Sequence, residues 1–370
     1  MSQNRGRGAL TNPTGRFESQ TRETDKYVQE RPPETLMGDD EAANAPNPRT
    51  QFIAENARSI LVKNESPDIP FAYGVNPYRG CEHGCIYCYA RPYHEYLGLS
   101  AGVDFETRIY YKQNAPELLR KELLSRSWTP QPVHLSGITD CYQPGEKRFE
   151  LTRRCIEVLT EFRNPFTIIT KSRLVTRDLD LLQKAASMNL CSVMISVTSL
   201  RPEITARMEP RTSRPQARLE TIRLLAQAGI PVGAMIAPVI PGLTDHEMPA
   251  ILKAASEAGA ERAGYTIVRL PYGVKDLFRE WVETHFPDRY DKIVHRIGEM
   301  RGFTRKEAEA GNLYRSPFKK RMTGEGIFAE QMKSVFDLYT QRYGLNKKSV
   351  RLSAEHFRRI ENRDQFELFE

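Results

Sequence analysis

Short apolar runs punctuate the middle of the chain at Pro132 to Leu135, Phe166 to Thr170, Ser192 to Val197, Pro231 to Ala237 and Tyr265 to Val268. They lack the polar alternation of a half-exposed strand, so each predicts a strand covered on both faces, as in a parallel sheet. Between them the apolar positions change to helical spacing. Leu151, Cys155, Ile156 and Leu159 share one face, Leu219, Ile222 and Leu225 share another, and Gly229 stands where a helix ends in a left-handed residue. Strand starts near 132, 166, 192, 231 and 263 are spaced by 34, 26, 39 and 32 residues, the size of a βα unit. A further strand near 70–76 makes six. Such repetition builds an α/β fold, either an open doubly wound sheet or a barrel, and the pattern does not choose between them.

The flanks differ. After about residue 272 only helical patterns follow, including Phe328 to Tyr343, so 273–370 is expected to be an α-helical extension. Residues 1–60 mix Arg, Gly, Pro, Asn, Asp and Glu with almost no apolar periodicity and predict a largely disordered tail. The alternative is a segment that wraps the body through anchors such as Phe17 and Phe52. The chain of 370 residues is 39% hydrophobic and 27% charged, with no apolar run near the roughly 18 residues of a membrane span. No membrane partner is expected. Met1 to Gly8 lack the apolar stretch of a secretory signal, which predicts a reducing compartment, the cytoplasm. Lys and Arg number 54 against 47 Asp and Glu, and residues 301–370 carry +5 of the net +7. That excess favours an anionic partner such as nucleic acid without establishing one. A basic knot, Lys319-Lys320-Arg321, lies beside Phe318 and Tyr314, and a solvated loop explains it as well as a nucleic-acid clamp does.

Chemistry concentrates in Gly80-Cys81-Glu82-His83-Gly84-Cys85-Ile86-Tyr87-Cys88-Tyr89-Ala90-Arg91-Pro92. Three cysteines on a Gly-punctuated loop, in a reducing compartment, read as ligands of one metal centre rather than as disulfides. A structural zinc site needs four protein ligands, which His83 or His94 can complete as Cys3His; otherwise His83 reads as a surface residue and His94 as a packing one. A 4Fe-4S cluster held by Cys81, Cys85 and Cys88 instead leaves one iron open to a small molecule. Of the other cysteines, Cys155 and Cys191 fall on apolar element faces and read as inert.

The spacing Cys-x3-Cys-x2-Cys with an aromatic before the third cysteine, Tyr87, resembles the signature of the radical SAM superfamily. Asn76 to Cys81, Thr139 to Pro144, Thr170-Lys171-Ser172 and Ala237 to Gly242 are similar to its spore photoproduct lyase-like branch. The resemblance implies a partial (β/α)6 TIM-type barrel over 61–272, between the tail and the basic C-terminal extension. It also implies a 4Fe-4S cluster whose open iron chelates S-adenosyl-L-methionine. One electron then splits the sulfonium to give a 5′-deoxyadenosyl radical. The substrate implied is a nucleic acid, with a protein or small metabolite as the second reading and a non-catalytic Cys3His zinc module as the third. A flavodoxin- or ferredoxin-like one-electron reductant is the implied partner.

Loops at the C-terminal ends of barrel strands face the site. On that basis Asp140, beside Thr139, is expected to accept from the cofactor ammonium or to serve as a turn residue, and Lys171 to meet a carboxylate. Ser196 and Thr198 alternate on one strand face and suit a ribose. Glu209 and Arg211 are expected as polar contacts or as a structural ion pair. The Pro238 turn is expected to approach the adenine by its backbone, with Tyr87 flanking it or packing in the core. Cys141, following the second strand, is the expected hydrogen-atom donor.

Overall fold

The computed structural model describes residues 6–17, 49–315, 317, 318 and 320–360. Among these the strands are β1 (Gln51–Glu55), β2 (Leu61–Lys63), β3 (Tyr73–Val75), β4 (Tyr78–Arg79), β5 (Arg108–Lys112), β6 (Val133–Leu135), β7 (Phe166–Thr170), β8 (Cys191–Ser196), β9 (Val232–Val239) and β10 (Arg262–Ile267). The helices are α1 (Val103–Thr107), α2 (Ala115–Leu124), α3 (Glu146–Phe149), α4 (Leu151–Glu161), α5 (Leu179–Ala186), α6 (Pro202–Met208) and α7 (Pro215–Gln227), followed by α8 (Met248–Glu257), α9 (Val274–His285), α10 (Tyr290–Met300), α11 (Arg305–Glu309), α12 (Lys320–Thr323) and α13 (Ile327–Arg342).

The main sheet has the order β10-β9-β8-β7-β6-β3-β2, parallel from β10 to β3, with β2 added antiparallel at the β3 edge. Helices connect the parallel strands, so the architecture is α/β, a partial (β/α)6 barrel. Its apolar runs are strands for the reason the pattern gave: Val133, Leu135, Phe166, Ile168, Val193 and Ile195 are fully buried. Leu151, Cys155, Ile156 and Leu159 likewise point inward from α4, and Gly229 has φ +70° just past α7, where a side chain would be strained. The two sheet edges do not pair with each other. Arg321 of α12 forms an ion pair with Asp68 and bonds to Ser66, so a segment from after β10 ties to the segment between β2 and β3. The basic knot is therefore partly spent inside the protein: Lys320 pairs with Glu325 at 2.7 Å, and Lys319 lies outside the described residues.

A second, three-stranded sheet of order β1-β5-β4 has no counterpart in the pattern above. β1 falls within the stretch read as a tail, because a lone strand whose parallel partner β5 lies over fifty residues downstream leaves no local signal. Residues 6–17 also follow the wrapping alternative, although the anchors are Arg7 and Ala9, both buried, rather than Phe17, which is exposed. The rest of the expected tail, 18–48, lies outside the described residues, as does 361–370. No helix among the described residues is long and apolar enough to cross a membrane.

His134 on β6 bonds Thr167 of β7 at 2.9 Å and stacks on Phe71 at 4.3 Å. Burial pushes it down to about 4, so it is neutral in the folded chain. In the unfolded chain it takes up a proton near pH 6.5. Its contribution is thus complete above that pH and is lost as pH falls from 6.5 towards 4. The stability of His134→Asn, measured by urea unfolding, should fall less steeply than wild type across that window, by up to about 1.4 kcal/mol per pH unit. Parallel slopes would refute the assignment.

Candidate active site

Residues 80–91 form a loop whose polar backbone is buried, and neighbours supply the bonds it cannot make for itself. β4 leads into it through Gly80, at φ +77°, where a Cβ would meet His94 and the carbonyls of Phe105 and Arg108 at 3.0–3.1 Å. The Cys81 amide donates to Phe105 O at 2.9 Å, the Glu82 amide to Gln143 Oε1 at 2.9 Å and the Ile86 amide to Met208 O at 3.1 Å. On the other side the fully buried Arg91 guanidinium donates to Cys85 O at 3.0 Å, Gly84 O at 3.3 Å, Ala101 O at 3.0 Å and Gly102 O at 2.9 Å. It also pairs with Glu106 at 2.5 Å. Glu106, equally buried, accepts the amides of Gly8 and Ala9 at 2.9 and 2.8 Å, so the N-terminal strap seats directly on the loop.

Cys81 and Cys88 share an apolar cluster with Ala90, Phe105 and Ile138, while Cys85 sits in the main core. All three are free thiols that act on one another electrostatically. Burial pushes Cys85 well up against the pull of Lys171, and burial likewise raises Cys88. Burial opposes charge on Lys171, but Cys85 and Glu209 outweigh it and raise its pKa; its ammonium lies 5.8 Å from the Tyr87 ring centroid and makes no hydrogen bond among the described residues. Glu209, just after α6, accepts from Tyr87, from Thr198 at 2.9 Å and from Arg218. Burial works against its charge, but Arg218 and Lys171 hold its carboxyl below the usual range.

The other expected residues are placed as follows. Thr139 donates to Gly80 O at 2.9 Å and accepts from Gln143 at 3.1 Å. Asp140 accepts from the Tyr142 amide at 2.9 Å, Thr170 Oγ1 at 2.7 Å and the Lys171 amide at 2.9 Å, and faces His83 Nδ1 at 3.3 Å. It ties the loop to the end of β7. Despite burial, the Asp140 carboxyl is held below the usual range by His83. His83 is buried, not a surface residue; its burial opposes charge, but Asp140 and Cys81 lift it to about 10. Arg211 pairs with Glu82 at 3.0 Å and donates to Thr50 at 3.2 Å, while Glu209 takes Arg218 as its partner. Ser196 is buried and its carbonyl accepts from Arg218 at 3.1 Å. Pro238 lies in β9 after a cis peptide. Cys141 is fully buried in the core; Asp140 and Glu146 act on its thiol, and its carbonyl accepts from Thr152 of α4 at 2.7 Å.

Sequence reasoning missed Arg91, Glu106 and Arg218. Arg218 had a signal: it shares the apolar face of Ile222 and Leu225, where a charge is buried only with a partner.

Fold and site together define an α/β-barrel enzyme whose cysteine loop sits at the C-terminal rim of a parallel sheet. The chain belongs to the radical SAM superfamily, whose sequence model matches residues 75–255. It is 38% identical over 257 residues to an uncharacterized protein of Mycobacterium tuberculosis, covering 66% of this chain and 76% of that one. To an uncharacterized protein of Methanocaldococcus jannaschii it is 27% identical over 255 residues, covering 69% and 91%. The fold is similar to spore photoproduct lyase, with a TM-score of 0.57 at 15% identity over 86% of this chain and 87% of that one. A structure of that lyase complexed with dinucleoside spore photoproduct gives 0.53 at 15% identity over 81% and 82%. Membership implies S-adenosylmethionine and an iron-sulfur cluster as cofactors and an external electron donor.

Glu106→Gln leaves the Arg91 charge buried without its counterion and should cost about 3 kcal/mol in urea unfolding. Gly8→Ala places a Cβ 1.7 Å from Gly84 O, so the strap must lift, and limited proteolysis should then cut residues 6–17 far faster than in wild type. A wild-type midpoint and a wild-type cleavage rate would refute the bracing role.

Proposed function

We propose that Cys81, Cys85 and Cys88 hold a 4Fe-4S cluster, and that the chain uses it to cleave S-adenosylmethionine reductively for radical chemistry on a nucleic acid. The observation that carries this reading is three free thiols on one buried loop, within electrostatic reach of one another and, at Cys85, of the unbonded Lys171 ammonium. The residues fit the group. Thiolates separated by a cluster each bind a different iron and need not meet at one ion. A Cys3His zinc site does need that, and among the described residues no three Cys, His, Asp or Glu side chains converge to hold a single ion. His83 is moreover engaged with Asp140.

When bound, the cluster and S-adenosylmethionine supply one electron and a 5′-deoxyadenosyl radical. The chain does the rest. Lys171 offers a cation to the cofactor carboxylate, and Asp140 fixes its backbone amide. The Glu209–Arg218–Thr198 network holds Tyr87 by its hydroxyl, so the ring is set at one angle beside the loop for the adenine. Glu209 and Thr198 brace Tyr87 rather than reaching for a ligand, since their polar atoms are already bonded. Phe105, Ile138 and Ala90 keep water from the thiols. The hydrogen-donor role of Cys141 draws no support from its surroundings in the core.

Nucleic acid is favoured by the net charge of +7 and by a fold similar to that of a lyase complexed with dinucleoside spore photoproduct. A protein or metabolite substrate is the competing reading, which salt-independent absence of DNA retention would favour. A flavodoxin- or ferredoxin-like protein is the proposed electron donor.

Anaerobically purified protein should be brown with about four irons per chain and, once reduced, should release 5′-deoxyadenosine from S-adenosylmethionine. The Cys81/Cys85/Cys88→Ala protein should be colourless and inactive; a colourless wild type containing zinc refutes the reading. Lys171→Met should raise the S-adenosylmethionine concentration for half-maximal release about tenfold, as expected for one charged hydrogen bond. An unchanged value removes Lys171 from the cofactor site.

A further inference from the structure

Two arginines near the end of β10 form no ion pair among the described residues. Arg269 follows β10, and its guanidinium lies 5.2 Å from the ring centroid of Tyr89, the residue next to Cys88. Its sole hydrogen bond among the described residues runs to Met322 Sδ at 3.6 Å, and its Nε is buried without a partner. Arg301, at the end of α10 and 3% exposed, donates to the carbonyls of Val268 at 2.6 Å, Ile267 at 3.4 Å, Arg321 at 2.9 Å and Lys320 at 3.4 Å. Its Nε too is buried and unpartnered. Neither arginine forms an ion pair among the described residues, whereas the buried Arg91 and Arg218 each have a carboxylate. Burial and the neighbouring Arg269 charge disfavour the Arg301 cation more than Tyr314 and Glu325 support it, and it falls to about 10.

Uncompensated charge in a part-desolvated place is costly, and an anion entering there relieves it. The planar fork of arginine fits phosphate oxygens in pairs. Tyr89 adds the second feature: its ring is 45% exposed, and its hydroxyl, bonded to Gly137 O at 2.6 Å, holds it still. An exposed, fixed aromatic ring beside an arginine with donors to spare is what a stacked base and its phosphate require.

We propose that Arg269 and Tyr89 form a nucleotide subsite, in which the Arg269 guanidinium takes a phosphodiester, the buried Arg301 charge behind it adds to the attraction, and Tyr89 stacks an unpaired base next to the cysteine loop. This rests on the nucleic-acid reading above and names where on the chain that substrate is gripped. The subsite needs an unpaired base, so it accepts single-stranded or locally opened nucleic acid.

The test is fluorescence anisotropy of the full chain with a labelled ten-nucleotide oligothymidylate at two salt concentrations. Arg269→Gln should weaken binding about tenfold and lower the salt slope by about one. Arg269→Lys, which keeps the charge, should bind better than Arg269→Gln and guards against a variant that merely folds poorly. Arg223→Gln, an exposed arginine on α7 paired with Glu220, should bind as wild type. Displacement by thymidine 5′-monophosphate in wild type but not in Arg269→Gln would support the same subsite with a mononucleotide as its source. Equal displacement by oligoglutamate overturns the nucleotide assignment. Wild-type affinity in Arg269→Gln overturns the subsite alone, whereas no binding by wild type overturns the nucleic-acid reading with it; release of 5′-deoxyadenosine bears on neither.

Discussion

A loop that is buried must still satisfy its backbone, and residues 80–91 have no ladder or helix of their own in which to do it. Everything around the site answers that demand. Arg91 covers the carbonyls of Gly84 and Cys85, Phe105 and Met208 receive amides, and Gln143 reaches across to the amide of Glu82. Arg91 needs Glu106, and Glu106 in turn draws the strap at Gly8 and Ala9 onto the loop. The small β1-β5-β4 sheet serves the same end, because β4 delivers the chain into Gly80.

Charge is handled in the same way on the barrel side. Buried carboxylates there need cations nearby, yet an isolated buried cation is unfavourable. Arg218 is therefore matched by Glu209, and His83 by Asp140, while Lys171 stands between Cys85 and Glu209 with its ammonium unbonded. Asp140 and Glu209 do this structural work with nearly all of their lone pairs, which makes them parts of the frame. Arg269 and Arg301 break the pattern: neither forms an ion pair among the described residues, and the Nε of each is buried without a partner.

Much of this was legible in the residues. The apolar runs and their spacing placed the starts of five of the six parallel strands to within a residue, since a strand buried on both faces leaves a continuous local signal. The cysteine spacing was equally local. What the residues hid was of another kind: β1 and β5 pair across more than fifty residues, Arg91 meets Glu106 across fifteen, and Glu106 meets the strap across nearly a hundred. His83 looked exposed because nothing near it in sequence announces Asp140.

The sequence by itself thus determined the α/β class, the order of the βα units and the identity of the clustered thiols, because periodicity and spacing are properties of short stretches of chain. Only the tertiary structure decided which polar side chains brace the site and which remain free to meet a ligand, because a carboxylate or guanidinium takes its role from partners that folding brings to it from distant positions.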